Sequence, residues 1–385
     1  MKSIQSIRRD FPVVNKKIFL ASCQVAPVPK SVAAAVAKYF DARLNGERDD
    51  LDKLVLATRK EASKLLNSKP KEIAFMRGTT EGVAVVASMM DFKRGENVIL
   101  NDLEFTTNVY PWMRMAKAKE CKIKCVKTKN EKITAADIQK LIDKKTRLIA
   151  ISHVQKSNGF RCELEKIGEL ADKKGILLSV DAVQSLGALE IDVKKTKISF
   201  LQAGGHKWLM GPSGIGLLYV NEKLLEKFEP TSVGPWQEDI DLTKPDFSYK
   251  QYKLSRSAKR FEFGGHPNVG GLMGLNAALK YINTLGKKDI DQRCRKLNDF
   301  VITKLEKAGL KLPPWIKERK YRSSYVGIKT RVSPFNIFVK AKEKGINFAT
   351  SKTGIGERLR IATHIFNTEE EVEKAVSLLK KINAK

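Results

Sequence analysis

The chain has 385 residues, of which 42% are hydrophobic and 30% charged. This composition fits a soluble globular protein of about two to three domains rather than a disordered or fibrous chain. No stretch approaches the roughly 20 consecutive apolar residues of a membrane span, and residues 1–9 lack the apolar centre of a secretory signal, so a cytoplasmic protein is expected. The formal net charge of +29 attracts polyanions. Its lysines, however, are spread over many short runs such as Lys16-Lys17, Lys194-Lys195 and Lys380-Lys381, so we read them as a solvated surface without a specific nucleic-acid or membrane partner.

Short apolar runs at residues 72–76, 97–100, 147–151, 176–180 and 215–220 read as buried strands. Between them, Thr134 opens a capped amphipathic helix through Ile138, Leu141 and Ile142. Strand and helix in alternation predict an α/β fold with a mostly parallel sheet and helices on both faces. From Glu222 to Lys259 the pattern loosens into a charged, aromatic connection that includes Pro235-Trp236 and Pro245-Asp246-Phe247. An apolar helix over 269–282 then leads into a smaller C-terminal domain, which closes with a capping box at Thr368 and a helix through Val372, Val376 and Leu379. The expected divisions are an N-terminal segment at 1–20, a large domain at 21–268 and a small domain at 269–385.

In chain order, the first candidate site is Arg77-Gly78-Thr79-Thr80-Glu81-Gly82, which follows a strand and opens a helix. Its two hydroxyls and free amides suit a phosphate; alone, an N-cap with a spare threonine would explain it. The loop from Asn101 to Trp112 follows the next strand, where the carboxyl edge of a sheet faces the ligand crevice. Phe105 either lies flat on an aromatic ligand or packs in the core. Asp181 and Gln184 end a further strand, and Gly204-Gly205-His206-Lys207-Trp208 follows about twenty residues on.

A lysine behind a histidine, with Asp and Gln so placed, is what pyridoxal phosphate chemistry requires. Lys207 forms the Schiff base, Asp181 keeps the pyridine nitrogen protonated and Gln184 bonds the ring hydroxyl. His206 is the best remaining phosphate or ring contact, whereas His153 and His364 read as structural histidines. Arg358 and Arg360 fall on one side of a strand-like stretch, and either could clamp a carboxylate. The five cysteines, Cys23, Cys121, Cys125, Cys162 and Cys294, are scattered and odd in number, which argues against a disulfide framework or a zinc site.

Together these motifs resemble the class V aminotransferases, the branch of fold-type I pyridoxal phosphate enzymes that includes cysteine desulfurases, selenocysteine lyases and isopenicillin N epimerase-like proteins. The resemblance runs from about Phe19 to Leu379. It implies a mostly parallel seven-stranded sheet flanked by helices, a smaller α+β C-terminal domain, and a homodimer with active sites at the interface. It further implies that Thr79, Thr80 and His206 hold the phosphate, that Phe105 replaces the usual ring-stacking histidine, and that Arg360 takes the substrate carboxylate. His266 stands where a threonine normally reaches the phosphate from the other subunit, and Gly204 replaces a serine ligand. Residues 345–360 contain no cysteine where desulfurases carry their nucleophile. The expected activity is therefore Cα deprotonation of a small amino acid, with transamination first, and with C–S cleavage of cysteine or selenocysteine, or epimerisation, as alternatives. From a different class, a basic polyanion-binding protein with a vestigial fold fits the charge but not the intact Lys207, Asp181 and Gln184.

Overall fold

A computed structural model describes residues 3–47, 50–239 and 252–384. The segment Pro245-Asp246-Phe247 lies outside them. Seven strands build the principal sheet: β2 (Ile73–Met76), β3 (Asn97–Asn101), β4 (Lys122–Val126), β5 (Thr146–Ser152), β6 (Leu177–Asp181), β7 (Phe200–Gly204) and β8 (Gly216–Val220). Their spatial order is β2-β8-β7-β6-β5-β3-β4, and only β8 runs against the rest. Parallel neighbours need crossovers, which the helices Thr79–Met89, Tyr110–Ala118, Ala135–Gln139 and Leu164–Lys173 supply. Covered on both faces, β3, β7 and β8 are buried throughout, as expected of strands written as near-continuous apolar runs.

The chain leaves β3 toward the edge strand β4, crosses back to β5, and proceeds through β6 to β7. The order therefore reverses between β3 and β5, and the loops after these strands flank a crevice at their carboxyl ends. Apolar clusters fill both faces of the sheet: Ile99, Ile151, Val180 and Leu201 on one side, Val98, Leu148, Phe200 and Leu218 on the other.

A second, four-stranded sheet has the order β1-β10-β11-β9, with β1 (Ile18–Leu20), β9 (Tyr325–Ile328), β10 (Ile346–Thr353) and β11 (Gly356–Ala362). Strand β1 pairs in parallel with β10, and the Asn367 side-chain amide donates to Phe19 O at 3.1 Å, so the N-terminal strand is tied to the C-terminal sheet. The helix Val269–Leu285, capped by Asn268, packs against the helices Lys30–Leu44 and Leu51–Leu66. The C-terminal helix Glu369–Asn383 begins at the Thr368–Glu371 capping box. The helix opened by Thr134 is shorter than its apolar spacing suggests. It ends at Gln139, and Leu141 and Ile142 reach the core from a turn. Among the described residues, no helix is long and apolar enough to cross a membrane.

Candidate active site

A cavity of about 590 Å³ opens at the carboxyl edge of the large sheet. Thr79, Thr80, Phe105, Asp181, Gln184, His206 and Lys207 all line it, although they come from the ends of four different strands. Thr79 and Thr80 begin the helix after β2, whose first-turn amides have no partners within the helix. Thr79 Oγ1 accepts from Gly204 N at 2.9 Å, and Thr80 Oγ1 lies 3.1 Å from Thr107 Oγ1. Position 204 is glycine where the resemblance implies a serine, and a Cβ there would come within 3.1 Å of the His206 ring and 3.4 Å of Thr79 Oγ1.

Asp181 ends β6 as the chain turns, and its carboxylate accepts from Val183 N at 2.9 Å. Gln184 is held on both sides: it donates to Cys23 O at 3.0 Å and accepts from Trp208 Nε1 at 3.2 Å. Trp208 is fully buried behind Lys207, stacked on Tyr325 and in contact with His364. His364 is itself a structural group, with Nδ1 accepting from Ile365 N at 2.8 Å and burial pushing its pKa down to about 4.

Burial dominates the electrostatics of the cavity. It raises the Asp181 carboxyl to about 7, against the Val183 amide and with Glu104 adding to the rise. It lowers Lys207, which Asp181 partly opposes and Arg360 reinforces, and it lowers His206, as does the adjoining Lys207 charge. A buried carboxylate short of a cationic partner, opposite hydroxyls and helix-terminal amides, suits a ring that is cationic at one end and anionic at the other. The donor set thus fits pyridoxal phosphate.

Two predicted residues stand outside the cavity wall. Arg360, on β11, is 2% exposed and donates to Thr350 O at 2.8 Å, while its Nε and Nη1 have no partner among the described residues. Its charge acts on both Lys207 and Cys23, so it lies close behind the wall. His266 is exposed and lines a neighbouring cavity of about 250 Å³ that shares Arg77 and Glu81 with the first. Arg358 is committed elsewhere, paired with Glu131.

Sequence reading missed two members of the site. Lys156, in the loop after β5, lines the cavity and holds its ammonium 3.4 Å from the centroid of Phe105. Burial first, then Arg360 and Lys207, lower its pKa to about 8. One face of Phe105 thus carries a cation, so a ligand ring stacks on the other face or displaces it. Glu104 organises both loops: it accepts from Asn101 and Asn108 on its own loop and from Ser152 N, Ser152 Oγ and Gln155 Nε2 across the switch point, at 2.5–3.0 Å.

The missing thiol has a structural counterpart. Strands β10 and β11 pair up to Thr353 and Gly356, which leaves only Gly354-Ile355 as a turn where a cysteine-bearing loop was looked for. Burial raises all five cysteines, including Cys23, where Arg360, Lys207 and Lys156 pull the other way without prevailing.

The family model of the class V aminotransferases matches residues 18–374. A probable cysteine desulfurase of Pyrococcus abyssi (strain GE5 / Orsay) is 31% identical, covering 99% of this chain and 98% of that protein. A probable cysteine desulfurase of Borreliella burgdorferi is 30% identical, with 99% and 97% covered. The apo structure of the cysteine desulfurase from Thermococcus onnurineus NA1 superposes with a TM-score of 0.90 at 27% identity, covering 100% of this chain and 99% of that one. Transamination, ranked first on the sequence, is thus not the activity for which these relatives are named. With the motifs in place at one cavity and the match spanning nearly its whole length, the chain belongs to the class V aminotransferase family, whose cofactor is pyridoxal 5'-phosphate.

Proposed function

We propose that this protein cleaves the C–S bond of cysteine, as a C–S lyase related to the cysteine desulfurases. The observation that carries this reading over transamination is end-to-end similarity to two probable cysteine desulfurases. Pyridoxal phosphate supplies an electron sink for the Cα carbanion. Lys207 Nζ would hold the cofactor and serve as the base for the Cα proton; its lowered pKa favours the neutral amine that this requires. Asp181 would pair with the ring nitrogen and Gln184 with the ring hydroxyl, Thr79, Thr80 and His206 would hold the phosphate, and Phe105 would flank the ring. Arg360 binds the substrate carboxylate, which its unpartnered Nε and Nη1 support.

A cytoplasmic homodimer is part of the reading. His266, exposed beside the cavity, would serve the partner's phosphate, and the exposed Phe40, Leu44, Tyr110, Met113 and Phe263 support a subunit interface. The tight Gly354-Ile355 turn and the thiol form of the cysteines favour sulfur leaving without capture on the protein. By that route cysteine and water give pyruvate, ammonia and sulfide. Capture on a thiol would instead give alanine and a persulfide. The test is to incubate purified, cofactor-loaded protein with cysteine and to quantify sulfide, alanine and pyruvate. Sulfide release that saturates with cysteine is expected. Amino-group transfer to a keto acid without any sulfur product would replace the proposal with transamination.

A further inference from the structure

We propose that Lys156 is a specificity-determining residue whose ammonium group receives a negatively charged substituent on the substrate's β-carbon, while Arg360 takes the α-carboxylate. The proposal rests on the role given above to Arg360. The lysine is presented from a fixed backbone. Tyr325 Oη donates to Gln155 O at 2.9 Å and Lys156 O at 3.2 Å, and Gln155 Nε2 donates to Glu104 at 3.0 Å. These bonds tie the loop after β5 to the small sheet on one side and to the Phe105 loop on the other.

From that anchor the side chain enters the cavity and ends on the Phe105 ring, with no carboxylate paired to Nζ among the described residues. Glu104, on the Phe105 loop, already accepts from four side chains and one backbone amide. The charges that act on Lys156 are Arg360 and Lys207, which repel it, and the Cys23 thiol, which favours it only when ionised. With Lys207 committed to the cofactor, Lys156 and Arg360 remain as two neighbouring cations, and a cation–π contact recovers only part of their repulsion. An anion bound between Lys156 and Arg360 removes the repulsion and gains charge-assisted hydrogen bonds. The ligand class is an α-amino acid with an anionic β-substituent: a thiolate, a sulfinate or a carboxylate. A merely structural Lys156 would hold Phe105 in place and show no preference among such ligands.

The test compares L-aspartate with L-alanine as competitors of cysteine, in the wild-type holoenzyme and in Lys156→Gln and Lys156→Arg. Wild type should bind aspartate better than alanine. Lys156→Gln should lower that ratio by roughly tenfold or more, and Lys156→Arg should keep it within about threefold. A second reading needs no turnover: with ¹³C-methylated lysines, the titration of the Lys156 signal in the wild-type holoenzyme should move to higher pH with aspartate but not with alanine. No preference in wild type, an unchanged ratio in Lys156→Gln, or a titration indifferent to aspartate would overturn the proposal. Should Lys156→Gln fail to load cofactor, the titration decides alone. Absence of sulfide release from cysteine would defeat the desulfurase reading but leave the aspartate-to-alanine ratio as the test of Lys156.

Discussion

Asp181→Asn isolates the electrostatic cost of a buried carboxylate that waits for a cationic partner. The carboxyl is 3% exposed and burial raises it from the usual 3.8 to about 7, so ionising it in the folded, cofactor-free protein is harder by about 4 kcal/mol. A folded-state value above the unfolded one means that the folded protein holds the proton more tightly. The contribution of this group to stability is therefore greatest below pH 4, falls as pH rises through 7, and levels off above it. Asparagine has nothing to ionise, and its carbonyl can still accept from Val183 N. Between pH 5 and 8 the cofactor-free wild type should lose about 3 kcal/mol relative to Asp181→Asn in urea unfolding. Saturating cofactor should reverse the order at pH 8, because its protonated ring nitrogen gives the carboxylate its partner. If the two proteins keep a constant difference across that range, Asp181 is not an unneutralised buried carboxylate and its pairing with the ring loses its physical basis.

Lys207→Ala should abolish sulfide release and the borohydride-reducible attachment of the cofactor to the protein, since Lys156 is anchored on Phe105; an active mutant whose cofactor is still reduced onto the chain would contradict this. Glu104→Gln should lower stability by about 2–3 kcal/mol in thermal unfolding and weaken cofactor binding, because five donors converge on one carboxylate, and an unchanged melting temperature would argue against it. Replacing all five cysteines by serine or alanine should leave sulfide release in place in a folded, cofactor-loaded protein. If changing Cys23 alone stops it, the sulfur passes through that thiol.

Much of this arrangement was legible because buried strands and the motifs at their ends leave a local signature. Five strands of the large sheet read as apolar runs. Strand β4 escaped because it is an edge strand that alternates Lys122 and Lys124 with Ile123 and Cys125, so its apolar run is interrupted twice. Strand β7 escaped because Gln202, fully buried, interrupts a run that merges with the Gly204-to-Lys207 motif. The joining of β1 to β10 spans more than 300 residues and has no local signal. Glu104 was invisible as an organiser for the same reason: Ser152 and Gln155 lie 48 and 51 residues away. Lys156 had a faint signal, a long cationic side chain in the loop at the carboxyl end of β5, but nothing near it in sequence says that it turns toward Phe105. His153 faces a different cavity, with Nδ1 unpartnered among the described residues, so it is not the satisfied structural histidine expected. Strand alternation turns Ser152 and Val154, but not His153, toward the cofactor cavity.

One lysine of the cavity, Lys207, is proposed to carry the cofactor. Borohydride reduction of the purified holoenzyme, followed by proteolysis and mass spectrometry of the pyridoxyl-bearing peptide, tests it most directly. The modification should fall on Lys207, within Gly204-Gly205-His206-Lys207-Trp208. Modification of Lys156 instead, or cofactor released unattached from a fully loaded protein, would rule out Lys207 as the carrier.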